Sequence, residues 1–392
     1  MKKAAVSLVK LHDYDINRIR QALQKSLDLL GGLENIIKPH SRVFVKINHL
    51  SPPSPPEKAI VTHPALTKEF LQLLKEHHVK ITVGDDIQSR EKDGFSVSGY
   101  RQICDELGVP LVNLKEIGFK ELSCKGQVLK KVYISPPLLE SDFIINLPKL
   151  KTHSFTIYTG AVKNMFGIIP SGLRLKYHRQ YSNNEVFSQM LVDIFSCVPP
   201  HLNLMDAVVA MEGEGPSAGN PRNLGIILAS RDAVALDAVA SKIAGFNPMD
   251  IFTTQNAHQR GLGEGSMDEI AVLGEKIEDV EVRDFKHSAV AIGFLRRKIP
   301  TFLYAFIQGQ LTLIPEVMEK KCTLCGECLS ICPKGAMRSN QNSAWIDKNL
   351  CIHCMCCHEV CRFHSIKLKQ KTWGRIIRSV RSLHHKLKYL FS

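Results

Sequence analysis

No apolar run long enough to cross a membrane occurs in the 392 residues, because a spanning helix needs about 18 consecutive apolar residues. The nearest stretch, residues 299–315, is uncharged but contains two prolines, two glutamines and a glycine. The N-terminus lacks a signal-peptide core, since only six uncharged residues separate its lysines. We therefore expect a cytoplasmic protein.

Acidic residues are absent between Arg362 and Ser392, where nine Lys or Arg occur. The rest of the chain is nearly balanced, so the net charge of +13 comes mostly from this tail. Over residues 373–391 apolar and basic side chains fall on opposite helical faces. The tail is predicted to form a basic amphipathic helix. Three roles stay open for it: packing on its own protein, contact with an acidic redox partner, or peripheral binding to the inner membrane surface. No recognition fold accompanies the charge, so no nucleic-acid partner is expected.

Residues 1–285 alternate short β-branched runs with amphipathic stretches. This alternation predicts an α/β fold with a mixed or mainly parallel sheet covered by helices. The prolines of residues 51–56 predict a loop. The predicted strands are residues 4–11, 42–48, 80–84, 141–147 and 223–229, and the predicted helices are residues 16–30, 64–77, 156–168, 185–197 and 232–244.

Cysteine is scarce except in one segment, where nine of the twelve cysteines lie. The spacing C-x2-C-x2-C-x3-C occurs twice, beginning at Cys322 and again at Cys351. Zinc sites use two separated ligand pairs, whereas this spacing is typical of bacterial two-cluster ferredoxins, in which the fourth cysteine ligates the other cluster. We predict two 4Fe–4S clusters. One is held by Cys322, Cys325, Cys328 and Cys361, and the other by Cys351, Cys354, Cys357 and Cys332.

Two features depart from the ferredoxin pattern. Arg362 stands where proline is usual, and Cys356 adjoins the predicted ligand Cys357. We interpret Cys356 as a spare thiol near a cluster. The predicted organisation is an α/β domain at residues 1–285, a linker at 286–320, a small α+β ferredoxin-like domain with two clusters at 321–368, and the tail at 369–392.

Four clusters of polar residues and glycine interrupt the larger domain. They are Lys46-Ile47-Asn48 with Thr62-His63-Pro64, the run LPKLKTHSFTIYTGAVKNMFGIIP at residues 147–170, the Asp206–Gly219 segment containing EGEGPSAG, and the helix that begins near Asp232 and Asp237. These stretches closely resemble the domain of unknown function 362 family, which is often fused to a two-cluster ferredoxin domain. Departures occur at Ile47 and at Asp86-Ile87-Gln88. The resemblance implies an α/β fold and a redox context, without a substrate.

Polar residues at strand ends and in loops are the usual ligand-binding positions of α/β sheets. Lys46, Lys149, Lys151 and Lys163 together suit an anionic small molecule, although lysines are often simply solvated. Imidazoles titrate near neutral pH and are acid–base candidates. Glycines let backbone N–H groups approach an anion, or serve turn geometry alone. We predict catalytic roles for His153, Lys163 and His178, and binding roles for Lys46, Asn48, Lys151, Asn164, Glu212, Gly213 and Gly215.

The leading hypothesis is an iron–sulfur redox protein that passes electrons between its clusters and an anionic small-molecule site in the α/β domain. Such a protein would be a ferredoxin-linked oxidoreductase with a low-potential donor or redox partner protein. The alternative is a non-enzymatic electron carrier or redox sensor, whose α/β domain docks partners. Delivery of clusters to other proteins is a third possibility. No dinucleotide fingerprint occurs, so NAD is not implied.

Overall fold

The computed structural model describes residues 3–88, 93–288, 310 and 313–370. The predicted tail helix and most of the predicted linker lie outside these residues, and both stay predictions. Within the described ranges, no helix combines the length and apolar character needed to cross a membrane.

A ten-stranded sheet forms the centre of the larger unit, in the order β12-β1-β11-β10-β7-β2-β3-β4, with β8 beside β10 and β9 beside β8. Two small antiparallel pairs, β13-β16 and β14-β15, lie in the C-terminal unit, and β5-β6 is a separate pair. The strands are β1 (Ala4–Lys10), β2 (Arg42–Ile47), β3 (Lys80–Asp85), β4 (Leu111–Asn113), β5 (Lys120–Ser123), β6 (Lys131–Ile134), β7 (Phe143–Leu147), β8 (Lys149–His153), β9 (Ile157–Thr159), β10 (Leu202–Glu212), β11 (Asn220–Ser230), β12 (Ile270–Gly274), β13 (Leu313–Val317), β14 (Met337–Ser339), β15 (Ala344–Ile346) and β16 (Ile366–Gln370).

Strand directions in the large sheet are mixed and mostly parallel. The run β10-β7-β2-β3-β4 is parallel throughout, whereas β11 is antiparallel to both β1 and β10. Because parallel neighbours end at the same edge, the carboxyl ends of β2, β3 and β7 lie together. The predicted α/β class with a mixed or mainly parallel sheet is confirmed.

Helices cover both faces of the sheet, so two hydrophobic cores form. Alternate residues of β2 serve different cores: Val43 and Val45 pack with α1, α3 and α5, whereas Phe44 packs in the core of α10 and α11. The helices are α1 (Ile16–Leu29), α2 (Leu33–Ile36), α3 (Pro64–Glu76), α4 (Gly94–Val97), α5 (Tyr100–Leu107), α6 (Leu114–Ile117), α7 (Pro136–Leu139), α8 (Ala161–Asn164), α9 (Ser171–Gln180), α10 (Asn184–Cys197), α11 (Ala233–Ile243), α12 (Phe252–Gln259), α13 (Glu327–Ile331) and α14 (Cys356–Glu359).

The single helix predicted over residues 156–168 is wrong. The chain there forms β9, the short helix α8 and a 3-10 turn. Asp237 of α11 organises this segment, because its carboxylate accepts hydrogen bonds from Ala161 N at 2.6 Å and Val162 N at 3.0 Å. A Cβ on Gly160 would lie 2.0 Å from Asp237 Oδ1, so this close approach requires glycine. A distant carboxylate thus overrides the local helical pattern.

The C-terminal unit is small and joins strands from its two ends. Strand β13 pairs antiparallel with β16, and β14 pairs with β15. Since β13 begins at Leu313, the unit starts ahead of the predicted boundary at Lys321. Its two helices, α13 and α14, contain the third cysteine of each motif, Cys328 and Cys357, and pack together. This arrangement agrees with the predicted small α+β architecture.

We expect Asp237→Ala to lower the free energy of unfolding by about 3 kcal/mol, because two buried N–H groups lose their acceptor. Asp15 is the control: it is exposed and caps α1 through Arg18 N, and its replacement by alanine should cost about 1 kcal/mol. Urea unfolding followed by circular dichroism measures both. An equal or smaller loss for Asp237→Ala contradicts the role given to this carboxylate.

Candidate functional site

A cavity of about 500 Å³ lies between the α/β unit and the C-terminal unit. We call it the central cavity. One wall comes from the carboxyl ends of β2 and β3, from β8, and from α8 and α9; the opposite wall comes from α13 and α14. This is the sheet edge where ligands of α/β proteins usually bind. The polar and charged residues that line it include Lys46, Asn48, His49, Asp85, Lys151, His153, Lys163, Asn164, Arg174, His178, Glu327, Glu359 and Arg362.

Lys46 is fully buried at the end of β2 and is neutralised by Asp85 at the end of β3. Lys46 Nζ lies 2.9 Å from Asp85 Oδ2 and donates to the carbonyl of Ile47 at 2.7 Å. The backbone N–H groups of His49 and Asp86 donate to the same carboxylate. Burial lowers the pKa of Lys46 and raises that of Asp85, while their mutual attraction opposes both shifts. Lys46 therefore contributes a paired charge to the cavity.

Lys151 is also buried, but its ammonium group contacts neutral acceptors. Its Nζ donates to the carbonyl of Ile60 at 2.7 Å and to Asn48 Oδ1 at 3.2 Å. Burial, together with the charges of Lys163 and Lys149, lowers the pKa of Lys151 to about 7. This lysine thus titrates close to neutral pH.

Lys163 projects from α8 into the central cavity. Its Nζ lies 4.9 Å from the centre of the Phe166 ring, and within the described part of the chain it forms no hydrogen bond or close ion pair. Burial lowers the pKa of Lys163 to about 8, while the attraction of Glu359 opposes this shift. Lys163 is therefore a cation that faces the cavity and is available to a ligand.

His153 has a defined tautomer because of its backbone contacts. Its Nδ1 accepts from Phe155 N at 3.0 Å and Thr156 N at 3.3 Å, so the neutral ring carries its proton on Nε2. That Nε2 lies 3.7 Å from Glu359 Oε1 on α14. Burial, together with the charge of Lys163, lowers the pKa of His153 well below its ordinary value. His153 presents an N–H donor toward the C-terminal unit.

His178 lies on α9 within an aromatic group formed by Phe155, Phe166 and Phe187. Burial lowers its pKa to about 3, and its buried Nδ1 has no hydrogen-bond partner among the described residues. Neither His153 nor His178 keeps the near-neutral pKa on which its choice as an acid–base group rested. The cavity groups that titrate nearest to neutral pH are instead Lys151, Lys163 and Glu359, since burial raises the pKa of Glu359 to about 7.

The predicted binding residues divide into two groups. Asn48 and Asn164 line the central cavity together with the lysines, and Asn164 is fixed by donating to Asn146 Oδ1 at 2.7 Å. In contrast, the described lining of the cavity does not include Glu212, Gly213 or Gly215. Those three residues hold the loop after β10: Glu212 and Gly213 bond the backbone of Lys286, and Gly215 N donates to Thr152 Oγ1.

Lys149 likewise lies apart from the cavity lining. It is buried in an ion pair with Asp206 at 2.7 Å and donates to the hydroxyl of Tyr14 at 3.0 Å. Its partner is one of the acidic residues noted in the sequence. The pair therefore has a structural role between β8 and β10, and Lys149 does not join the other three lysines.

Sequence reasoning missed Arg174 and the cavity residues of the C-terminal unit. Arg174 on α9 bonds Asp86 through both its carboxylate, at 3.3 Å, and its carbonyl, at 2.8 Å. Asp86 belongs to the stretch that departs from the family pattern, and this departure was the sequence signal for its contact with Arg174.

Arg362, which departs from the ferredoxin pattern, pairs with Glu327 at 2.9 Å. This contact ties the end of the second cysteine motif to the first.

Each predicted set of four cysteines surrounds its own small cavity. The first cysteine set is Cys322, Cys325, Cys328 and Cys361, and the second is Cys332, Cys351, Cys354 and Cys357. Backbone N–H groups point at the sulfurs: Ala336 N lies 3.1 Å from Cys332 Sγ, and Ser365 N lies 3.2 Å from Cys361 Sγ. Such hydrogen bonds stabilise thiolates and are typical of iron–sulfur ligands.

The adjacent residues Cys356 and Cys357 line different spaces. Cys357 lines the cavity of the second cysteine set, whereas Cys356 lines the central cavity. Among the described residues, no three His, Cys, Asp or Glu side chains meet closely enough to hold a single metal ion. Each set supplies four thiols around one small cavity, which is the number of ligands that a 4Fe–4S cluster takes.

Comparisons with known proteins identify two regions of the chain. A family model described as domain of unknown function DUF362 matches residues 43–242, and one described as a 4Fe-4S binding domain matches residues 314–337. A thylakoid-associated protein of Synechocystis sp. is 32% identical over 260 residues, covering 66% of this chain and 80% of the relative. The number of clusters stays a prediction, since the second cysteine motif lies outside the matched residues.

Two solved structures resemble part of the chain at low sequence identity. The lactate racemase apoprotein from Thermoanaerobacterium thermosaccharolyticum is 14% identical with a TM-score of 0.39, covering 62% of this chain and 57% of that one. A protein from Thermotoga maritima is 13% identical with a TM-score of 0.35, covering 55% and 56%. The chain thus spans less than two thirds of either protein.

We expect Lys46→Met to destabilise the fold by about 3–5 kcal/mol, because it leaves the buried Asp85 carboxylate without its cation. The double variant Lys46→Met/Asp85→Asn should regain much of that loss, since it removes both charges and keeps an amide oxygen for the N–H groups of His49 and Asp86. Urea unfolding of the single and double variants measures the difference. A double variant that is less stable than Lys46→Met would contradict this account of the pair.

Proposed function

The chain belongs to the DUF362 family, and we propose that this member is an iron–sulfur oxidoreductase that exchanges electrons with an anionic small molecule bound in the central cavity. The observation that carries the proposal is the position of this cavity. Its walls combine the cationic sheet edge of the α/β unit with the two helices that bear cysteines of the C-terminal unit. A chain that only carried electrons would gain nothing from enclosing this space.

Two 4Fe–4S clusters are the proposed cofactors, one in each cysteine set. Four thiols around each small cavity and the backbone N–H groups aimed at their sulfurs support this assignment. A cluster held in this way supplies or accepts single electrons at a potential set by hydrogen bonds and burial. The helix α14 connects the second cysteine set to the central cavity, since Cys357 and Cys356 are consecutive on it.

The charge of the central cavity supports an anionic ligand. Lys46, Arg174 and Arg362 each have a carboxylate partner, whereas Lys151 and Lys163 have none within ion-pair distance among the described residues. Two desolvated ammonium groups are stabilised when a ligand brings negative charge. A volume of about 500 Å³ accommodates a metabolite-sized carboxylate or phosphate ester.

Proton transfer accompanies most reductions of small molecules, and the cavity contains suitable groups. Lys163 is largely protonated at pH 7 and can release a proton, because burial lowers its pKa to about 8. His153 donates a hydrogen bond from Nε2 and orients the ligand, and neutral His178 bounds the same space. The apolar walls, such as Phe166 and Val360, exclude water from the bound anion.

We expect Lys163→Met to slow reoxidation of dithionite-reduced protein by an anionic substrate about 10- to 100-fold, because a charged hydrogen bond contributes about 1.5–3 kcal/mol. The assay is anaerobic stopped-flow absorbance with a panel of carboxylates and phosphate esters, after removal of dithionite. Lys176→Met is the control, since Lys176 is exposed on α9. Lys163→Arg should still bind the anionic substrate above pH 8, where the Lys163 ammonium group of the wild type loses its charge.

Reoxidation that is unaffected by Lys163→Met for every active anion would refute the assigned site. If no anion in the panel accelerates reoxidation of the wild type, the carrier or sensor function is favoured instead.

We expect Cys357→Ser to reduce the iron content from about eight to about four atoms per chain, because one of two clusters loses a ligand. Cys356→Ser, one residue away, should keep all eight, since Cys356 lines the central cavity. Native mass spectrometry of anaerobically purified protein counts iron and sulfide together. Loss of a cluster in Cys356→Ser with retention in Cys357→Ser would reverse the ligand assignment.

A further inference from the structure

Exposed apolar side chains are concentrated in the C-terminal unit. Of the seven large hydrophobic residues that are strongly exposed in the described part of the chain, four belong to this small unit. Single exposed apolar residues are ordinary, but a concentration of them marks an interaction surface. The four residues are Leu324, Trp345, Leu350 and Phe363.

Leu324 and Phe363 lie over the same cysteine set. Both border the small cavity of the first cysteine set, and they are 42% and 44% exposed. The cavity of the second set has no such residue among its described lining, where Met355 is almost fully buried. The first set is therefore the one that is covered by accessible apolar side chains.

Basic side chains lie beside these two residues. Lys320 and Lys321 are exposed and directly precede Cys322. The carbonyl of Lys321 accepts from Ser365 Oγ at 2.6 Å, so this basic pair lies next to the segment that contains Phe363. Glu319 is the exposed acidic residue adjacent in sequence to the two lysines. With two lysines against one carboxylate, this rim is weakly basic.

We propose that Leu324 and Phe363, with Lys320 and Lys321 beside them, form the docking site of an acidic one-electron carrier protein. This inference rests on the proposed function and adds its partner. An apolar centre with a charged rim is the usual anatomy of a transient interface, and opposite charge accelerates encounter. One electron passes per encounter, and no bond forms or breaks.

Three consecutive residues connect the docking site, the central cavity and the first cysteine set. Phe363 is at the surface, Arg362 lines the central cavity, and Cys361 belongs to the first cysteine set. The first cysteine set therefore adjoins both the docking site and the central cavity. The Arg362–Glu327 ion pair holds this segment in place.

The test uses the full-length protein, purified anaerobically, and a purified acidic ferredoxin as the probe. Calorimetry gives the Kd of the oxidised proteins, and stopped-flow gives the rate of reduction by reduced ferredoxin. We expect Leu324→Glu/Phe363→Glu to weaken binding by about tenfold or more and to slow reduction by a similar factor. Iron content and reduction by dithionite should match the wild type.

Leu350→Glu is the matched control, since Leu350 is similarly exposed at 41% but adjoins the second cysteine set, and it should bind as the wild type does. Lys320→Glu/Lys321→Glu should lower the association rate and weaken its dependence on salt. Binding that is unchanged in both double variants, or absent in the wild type, overturns the docking site. Failure of the proposed function is distinct: no anion would then accelerate reoxidation of the reduced wild type, whatever its Kd for ferredoxin.

Discussion

Removing lysine ammonium groups from water is the physical constraint on which the site depends. Three lysines of the α/β unit are buried almost completely, and two of them are neutralised by partners from neighbouring strands: Lys46 by Asp85 and Lys149 by Asp206. Lys151 has only neutral acceptors. An unpaired buried charge is costly, which is why we propose that an anion binds in the cavity that Lys151 and Lys163 share. The depressed pKa values of these two lysines follow from the same cost.

The C-terminal unit completes this environment. Helix α14 places Glu359 near His153. The backbone carbonyl of Glu359 accepts from Ser217 Oγ of the α/β unit at 2.7 Å. The same short helix carries Cys357 into the second cysteine set and Cys356 into the central cavity. The proposed small-molecule site and the cysteines of the second set are thus joined by one short helix. We expect a change of charge in the central cavity to change the electrostatic potential at the cysteines.

Much of the fold followed from local patterns. Strand β2 and helix α3 were predicted within one residue of their ends, because apolar periodicity and the proline at the start of α3 are local signals. Strand β8 was missed because its residues are polar yet buried by neighbours distant in sequence. The helix predicted at residues 156–168 failed for a similar reason: its conformation is set by Asp237, far along the chain.

Lys46 was predictable as a candidate because its charge interrupts an apolar strand end, and Lys151 because its charge punctuates an otherwise apolar run. Their partners were not, since Asp85 reaches Lys46 and the carbonyl of Ile60 reaches Lys151 only through tertiary packing. The binding role of Glu212, Gly213 and Gly215 in the loop after β10 stays a prediction, because glycine serves backbone geometry as readily as ligand contact. The cysteine spacing carried the most information, since ligation by a cluster constrains spacing directly.

The central claim is that charges of the central cavity and the proposed clusters act on each other. A potentiometric titration monitored by electron paramagnetic resonance tests it most directly, without knowledge of the substrate. Removing a positive charge disfavours the reduced state, so Lys163→Met should lower a cluster reduction potential by tens of millivolts, while Lys176→Met should leave it unchanged. Identical potentials in the wild type and Lys163→Met would contradict the account.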